Sequence, residues 1–197
     1  MFEKLSDKLT DSLISNNTIT ADDREIYHYG IQQGIILILN TATTLFIGII
    51  SGMIWQSIVF MFAYIPLRSY TGGFHAKTPV RCYFSSIVLM TVVLLVMRYI
   101  DFSMLIYGIL MFISGTVILL LAPMENHNKT LDEIERKVYK KRAYGIWICE
   151  CLFVVTAMLL SWKQLAVCFI WAIIVAALML VLGKLKNTSY MVSNYEK

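Results

Sequence analysis

Arg68-Ser69-Tyr70-Thr71-Gly72-Gly73-Phe74-His75-Ala76-Lys77-Thr78-Pro79-Val80-Arg81-Cys82 lies between two apolar runs, residues 54–67 and 83–100. A polar island between runs of that kind reads as the connection between two membrane helices, with the rest of the chain as its holder. It sets His75 seven residues before Cys82. On an unbroken helix the two would stand roughly 10 Å apart, too far for proton transfer, so a bend is required. Gly72 and Gly73 permit backbone angles closed to other residues, and Thr78-Pro79 reads as an N-cap followed by a first helical position. Cys82 then falls in or just past the first turn, where free amides and the helix dipole favour an anion. Lys77 and Arg81 add positive charge. A thiol so placed loses its proton more easily than a free cysteine, as a nucleophile must.

Working outward, the 197 residues are 58% hydrophobic and 15% charged, with a mean hydropathy of +0.67. That is too little charge for a soluble domain of this size. Apolar segments at 31–53, 54–67, 83–100, 103–122, 144–161 and 165–183 predict an all-α polytopic membrane protein with about six transmembrane helices. The segment 54–67 is the shortest and either borrows length from the bend or stops partway across. No signal-peptide core occurs in the first 30 residues, so the N-terminus is expected to be retained. Cys82, Cys149, Cys151 and Cys168 are scattered, which implies neither disulfides nor zinc-type pairs. The net charge of +4 answers to membrane topology rather than to nucleic acid.

In residues 1–18, Phe2, Leu5, Leu9 and Leu13 alternate with charged residues. This predicts an amphipathic helix within a cytoplasmic segment 1–29, either on the membrane surface or packed on the protein's own loops. Thr20 and Asp23 suggest a capping box before the first span. With the N-terminus inside, all but Arg98 and Lys163 of the seventeen basic residues fall on the inner side. Both termini are therefore expected to be cytoplasmic, and the polar island lies at the inner face. The inner loop 123–142 begins polar and ends strongly basic. It reads as an anchor on anionic headgroups or as a docking surface for an acidic substrate segment. Gln32, Gln33, Asn40 and Glu150 are costly in a span, and Glu150 is expected to snorkel or pair. Gly48 and Gly52 suit helix packing between subunits of a homodimer. The tail after Leu185 reads as loosely ordered.

A histidine and a cysteine seven apart are also compatible with a topological loop that carries no chemistry. His75, Cys82 and His127 offer three ligands for zinc, but no second close pair supports a tetrahedral site, so no metal or other cofactor is expected. The Gly-x-Ser-x-Gly elbow, the HExxH signature and a Walker-type loop are absent from the sequence.

Arg68, Gly72-Gly73, His75-Ala76 and Cys82 at the inner end of a short span, with Pro123 and Asn128-Lys129 in the next inner loop, resemble the accessory gene regulator B family of bacterial membrane endopeptidases. The likeness runs over essentially the whole chain, which reads as one membrane-embedded peptidase domain, residues 1–197. The resemblance implies a cysteine endopeptidase in the cytoplasmic membrane, active at its cytoplasmic face. Its substrate would be a small quorum-sensing peptide precursor with an N-terminal amphipathic helix and an acidic C-terminal tail, which it cuts and helps to close into a thiolactone or lactone ring. Cys82 would be the nucleophile and His75 its base, while Arg68, Gly73 and Lys129 would be needed for activity or folding. Glu125 and Asn126 are positional candidates for the group that orients His75. The competing class is a non-catalytic peptide exporter or a membrane scaffold for a signalling partner.

Overall fold

A computed structural model describes residues 2–74, 78–125 and 131–195. The expectations placed on His75, Lys77, Asn126, His127, Asn128 and Lys129 lie outside the described residues. The described chain forms seven helices: α1 Phe2–Ser15, α2 Arg24–Ile50, α3 Ile54–Thr71, α4 Pro79–Tyr99, α5 Met104–Leu121, α6 Glu133–Leu159 and α7 Lys163–Tyr195. Five of them, all but α1 and α3, are long and apolar enough to cross a bilayer. Their outer faces carry side chains that water would not tolerate, such as Phe112, 77% exposed, and Leu120, 76% exposed. The molecule is a polytopic all-α membrane protein.

The expected second span is a helix, but it falls short of the other five in apolarity because Gln56, Ser57, Arg68, Ser69 and Thr71 dilute it. It turns Ser57 and Thr71 inward. Ser57, Phe60, Ala63, Tyr64, Leu67 and Thr71 are buried, and Ser57 Oγ donates to the Met53 carbonyl at 2.9 Å.

The chain divides into two compact units. The first comprises residues 1–47 and 76–92. Here Arg24, at the start of α2, pairs with Asp11 at 3.0 Å and Asp7 at 3.4 Å, while His28 Nε2 meets Ser6 Oγ at 2.8 Å. These contacts turn the polar side of α1 toward α2, burying Ser6 and Thr10 and leaving Leu5 and Leu9 exposed. Thr20 donates to the Asp23 carboxylate instead of capping backbone, and α2 starts only at Arg24. Further along, Thr43 Oγ1 and Tyr83 Oη join α2 to α4 at 2.7 Å. The amide oxygen of Asn40 is buried without a partner among the described residues.

The second unit comprises residues 48–75 and 93–197. Its hub is α7: 61% of its apolar stretch is buried, against 17–22% in the other four spans, and α3, α5 and α6 all pack on it. Small residues such as Ala166, Ala172, Ala176 and Ala177 let those helices approach. Gly48 and Gly52, read as a subunit-packing pair, are used within the chain. A side chain at Gly48 would overlap Ser57, and Gly52 sits at φ 65° in the turn to α3.

Two boundaries differ from expectation. The basic run of loop 123–142 is already helix, because Asp132 and Glu135 form a reciprocal capping box that starts α6 at Glu133. The segment after Leu185 continues as α7 to Tyr195, held by contacts of Lys186 and Asn187 described below.

Candidate functional site

Local chemistry at the start of α4 follows the sequence. The Thr78 hydroxyl accepts from the Arg81 amide at 3.3 Å, and the Thr78 carbonyl accepts from the Cys82 amide at 3.0 Å. Thr78 is therefore the N-cap, Pro79 the first helical residue and Cys82 the fourth. Proline has no N–H, so Val80 is left with the one first-turn amide that lacks an acceptor among the described residues. Cys82 is a free, half-buried thiol and Arg81 is exposed.

The other half of the island closes α3 in the second unit. Gly72 caps that helix at φ 72°, ψ −150°, its amide donating to the Arg68 carbonyl at 3.2 Å, and Gly73 follows at φ 123°. Both angles lie where only glycine is unstrained. Space is equally restrictive: a Cβ on Gly72 would overlap the Met124 carbonyl oxygen, and one on Gly73 would stand 2.8 Å from the Met179 carbonyl oxygen and 2.9 Å from Arg68 Nη1. Three further backbone groups of the turn are bonded. The Thr71 carbonyl accepts from Met124 N–H at 2.8 Å, Phe74 N–H donates to the Met179 carbonyl at 2.8 Å, and the Phe74 carbonyl accepts from Arg68 Nη2 at 2.6 Å. Arg68 thus clamps the residue that precedes His75. Its Nη1 is buried without a hydrogen-bond partner among the described residues.

The segment after α5 braces this turn. Met124 pairs with Gly72 in an isolated bridge; Pro123 before it is half-buried and follows a cis peptide bond. Glu125, considered above as an orienting group for His75, ion-pairs with Arg136, whose Nε donates to Oε1 at 2.9 Å. Its carbonyl accepts from Asn187 Nδ2 at 3.2 Å. On α7, Gly183 passes so close that a Cβ there would stand 2.8 Å from the Phe74 amide nitrogen, and the Lys186 ammonium lies 5.3 Å from the Phe74 ring centroid. Beside the turn, the Arg142 guanidinium stacks 5.4 Å from the Tyr70 ring centroid, and Tyr139 meets the same ring edge-on at 5.5 Å.

The structure therefore brings Arg68, Gly72, Gly73, Pro123 and Glu125 into one braced assembly, and it places Arg81 and Cys82 on the first turn of α4. Sequence reasoning missed Met124, Arg136, Met179, Gly183 and Asn187. Two signals were available: Asp132-x-x-Glu135 marks the helix start that presents Arg136, and a lone glycine in an apolar run marks a close approach.

The chain is similar to the "Putative AgrB-like protein" of Clostridium perfringens (strain SM101 / Type A), 23% identical over 149 residues that cover 72% of this chain and 70% of that protein. It is likewise similar to the "Putative AgrB-like protein 2" of Clostridium perfringens (strain 13 / Type A), at 22% identity over 149 residues and the same coverage. No solved structure matches it. The family model described as "Accessory gene regulator B" matches residues 6–182, nearly the whole length over which the helices and the braced glycine turn are built; the chain belongs to the accessory gene regulator B family, a membership that supports a role in the agr quorum-sensing system.

Proposed function

We propose that this protein is a cysteine endopeptidase of the bacterial cytoplasmic membrane that cuts a small peptide precursor at the cytoplasmic face and promotes closure of its thiolactone or lactone ring. Cys82 is the nucleophile and His75 the base. The observation that carries the reading is the position of Cys82: a free, half-buried thiol on the first turn of a helix capped by Thr78, one residue after the exposed Arg81.

His75 takes the Cys82 proton, the sulfur attacks the scissile carbonyl, and the tetrahedral intermediate collapses as His75 returns the proton to the leaving amine. The C-terminal tail departs and a thioester on Cys82 remains. A substrate thiol then attacks that thioester, so that one C–S bond forms as another breaks at little energetic cost. The free Val80 amide is the oxyanion donor within this reading. Arg68, Gly72, Gly73 and Pro123 fix the chain leading to His75. The unspent Arg68 Nη1 donor, Asn126, Lys129 and the basic face of α6 near Arg142 receive the precursor, whose acidic tail they match in charge. Glu125, held by Arg136, supports the turn.

The test is cleavage of a candidate precursor by the protein in liposomes. Wild type is expected to release the tail, and Cys82→Ala to release none. His75→Ala is expected to leave a thiol that alkylates slowly near neutral pH. Tail release that persists in Cys82→Ala removes the assignment.

A further inference from the structure

At the end of the second unit away from the glycine turn, the start of α5, the end of α6 and the start of α7 enclose a cavity of about 500 Å³, within the roughly 300–1,000 Å³ typical of small-ligand sites. Its walls are Met104, Tyr107, Gly108, Met111 and Met158, and Lys163 stands at its mouth. Along α5 and α7 it lies on the order of 15 Å from the braced turn, so it is no part of that site and stands apart from the catalytic proposal. Methionines give an apolar wall that reshapes around flexible guests. The Tyr107 ring is buried, 2% exposed, against Phe102.

The mouth is polar in a specific way. Lys163 Nζ pairs with Asp101 at 2.6 Å, but both side chains are largely exposed, at 45% and 69%. A pair of that kind contributes little and is readily exchanged for another anion. Ser161, also on the wall, sits at φ 61°. It closes α6 in a Schellman motif, with Trp162 N–H on the Ala157 carbonyl at 2.8 Å and Ser161 N–H on the Met158 carbonyl at 3.0 Å. Glycine is the usual residue there; serine puts a hydroxyl at the cavity mouth instead.

We infer that this cavity binds one acyl chain of a membrane glycerophospholipid, with the lipid phosphate at the Lys163 ammonium and the Ser161 hydroxyl. The surrounding solvent supplies the ligand, since the cavity opens between helices whose neighbouring faces, including Leu105 and Ile109, are exposed to hydrocarbon. Apolar walls with a cation at one end match a chain with an anion at one end.

Vesicles of phosphatidylethanolamine containing a trace of the same lipid with a diazirine on the acyl chain test this, with adducts mapped by mass spectrometry. Adducts are expected to concentrate on segments 104–111 and 154–163 and to be competed by unlabelled phospholipid added in detergent-lipid mixtures. A Cβ on Gly108, which lines the cavity, meets nothing within 4 Å; Gly108→Leu is expected to reduce the cavity adducts to the level of ordinary lipid-facing positions while the protein stays folded. Met158→Trp should do the same from the facing wall. Lys163→Ala is expected to lower capture of the phospholipid roughly threefold and to leave capture of a diazirine-bearing diacylglycerol unchanged. Adducts spread evenly over the exposed helix faces, or cavity adducts that survive both filling variants, overturn the site. Equal behaviour of the two lipids on Lys163→Ala overturns the phosphate contact.

Discussion

Gly72 and Gly34 are both glycines near polar side chains in an apolar chain, yet only one is constrained. Gly72 is at positive φ with the Met124 carbonyl where a Cβ would go, while a Cβ on Gly34 in α2 meets nothing within 4 Å. Gly72→Ala should lower stability by about 2 kcal/mol or more, and Gly34→Ala should be neutral or stabilising by roughly 0.5 kcal/mol; thermal unfolding in one detergent ranks them. Arg68→Ala removes a charge-assisted bond to the Phe74 carbonyl and should cost about 1.5–3 kcal/mol in the same assay. The Thr78 cap was legible because capping is local, fixed within four residues of chain. The Arg68 clamp was not, since its acceptor becomes available only after two glycines have turned the chain back on α3.

Among the elements, α6 and α3 carry the lesson about boundaries. A basic run followed by an apolar run reads as loop then span, but a capping box at Asp132 and Glu135 makes both one helix. The helix therefore presents Arg136, Tyr139 and Arg142 rigidly beside the turn. At its other end the Ser161 Schellman position predicts that Ser161→Gly stabilises by about 0.5–1 kcal/mol by relieving positive φ, readable as a higher unfolding midpoint without lipid. Helix α3 was recognisable as the weakest span because its polar residues broke the apolar run. Which of them face inward depends on α7 and could not be read from periodicity alone. For α1 the amphipathic pattern was plain, and the structure adds that the charged side, through Asp7 and Asp11, is the one that meets α2. Leu5→Asp with Leu9→Asp should then leave the fold intact while loosening α1 from vesicles, measured as faster proteolysis of residues 1–20 in liposomes.

For the whole molecule, hydropathy gave the class: apolar run lengths predicted about six spans, of which five are helices long and apolar enough to cross a bilayer and the shortest, 54–67, is not. What it left open was how a chain so poor in polar residues holds a rigid polar turn. The answer is α7, which buries the majority of its apolar stretch and supplies Met179, Gly183 and Asn187 to the turn. Gly183→Leu should therefore disturb the Phe74 region despite lying in a lipid-compatible helix. Its expected signature is loss of precursor processing together with a lower unfolding midpoint, whereas Gly108→Leu should spare both.

The central claim is that the Cys82 sulfur carries the acyl group. Acid quenching of a single turnover in liposomes, followed by intact-mass and peptide mapping, measures this directly. The account predicts a transient adduct equal in mass to the precursor without its C-terminal tail, attached at Cys82 and discharged as the cyclic product appears. Tail release at full rate with no adduct on Cys82 at any time point would contradict it.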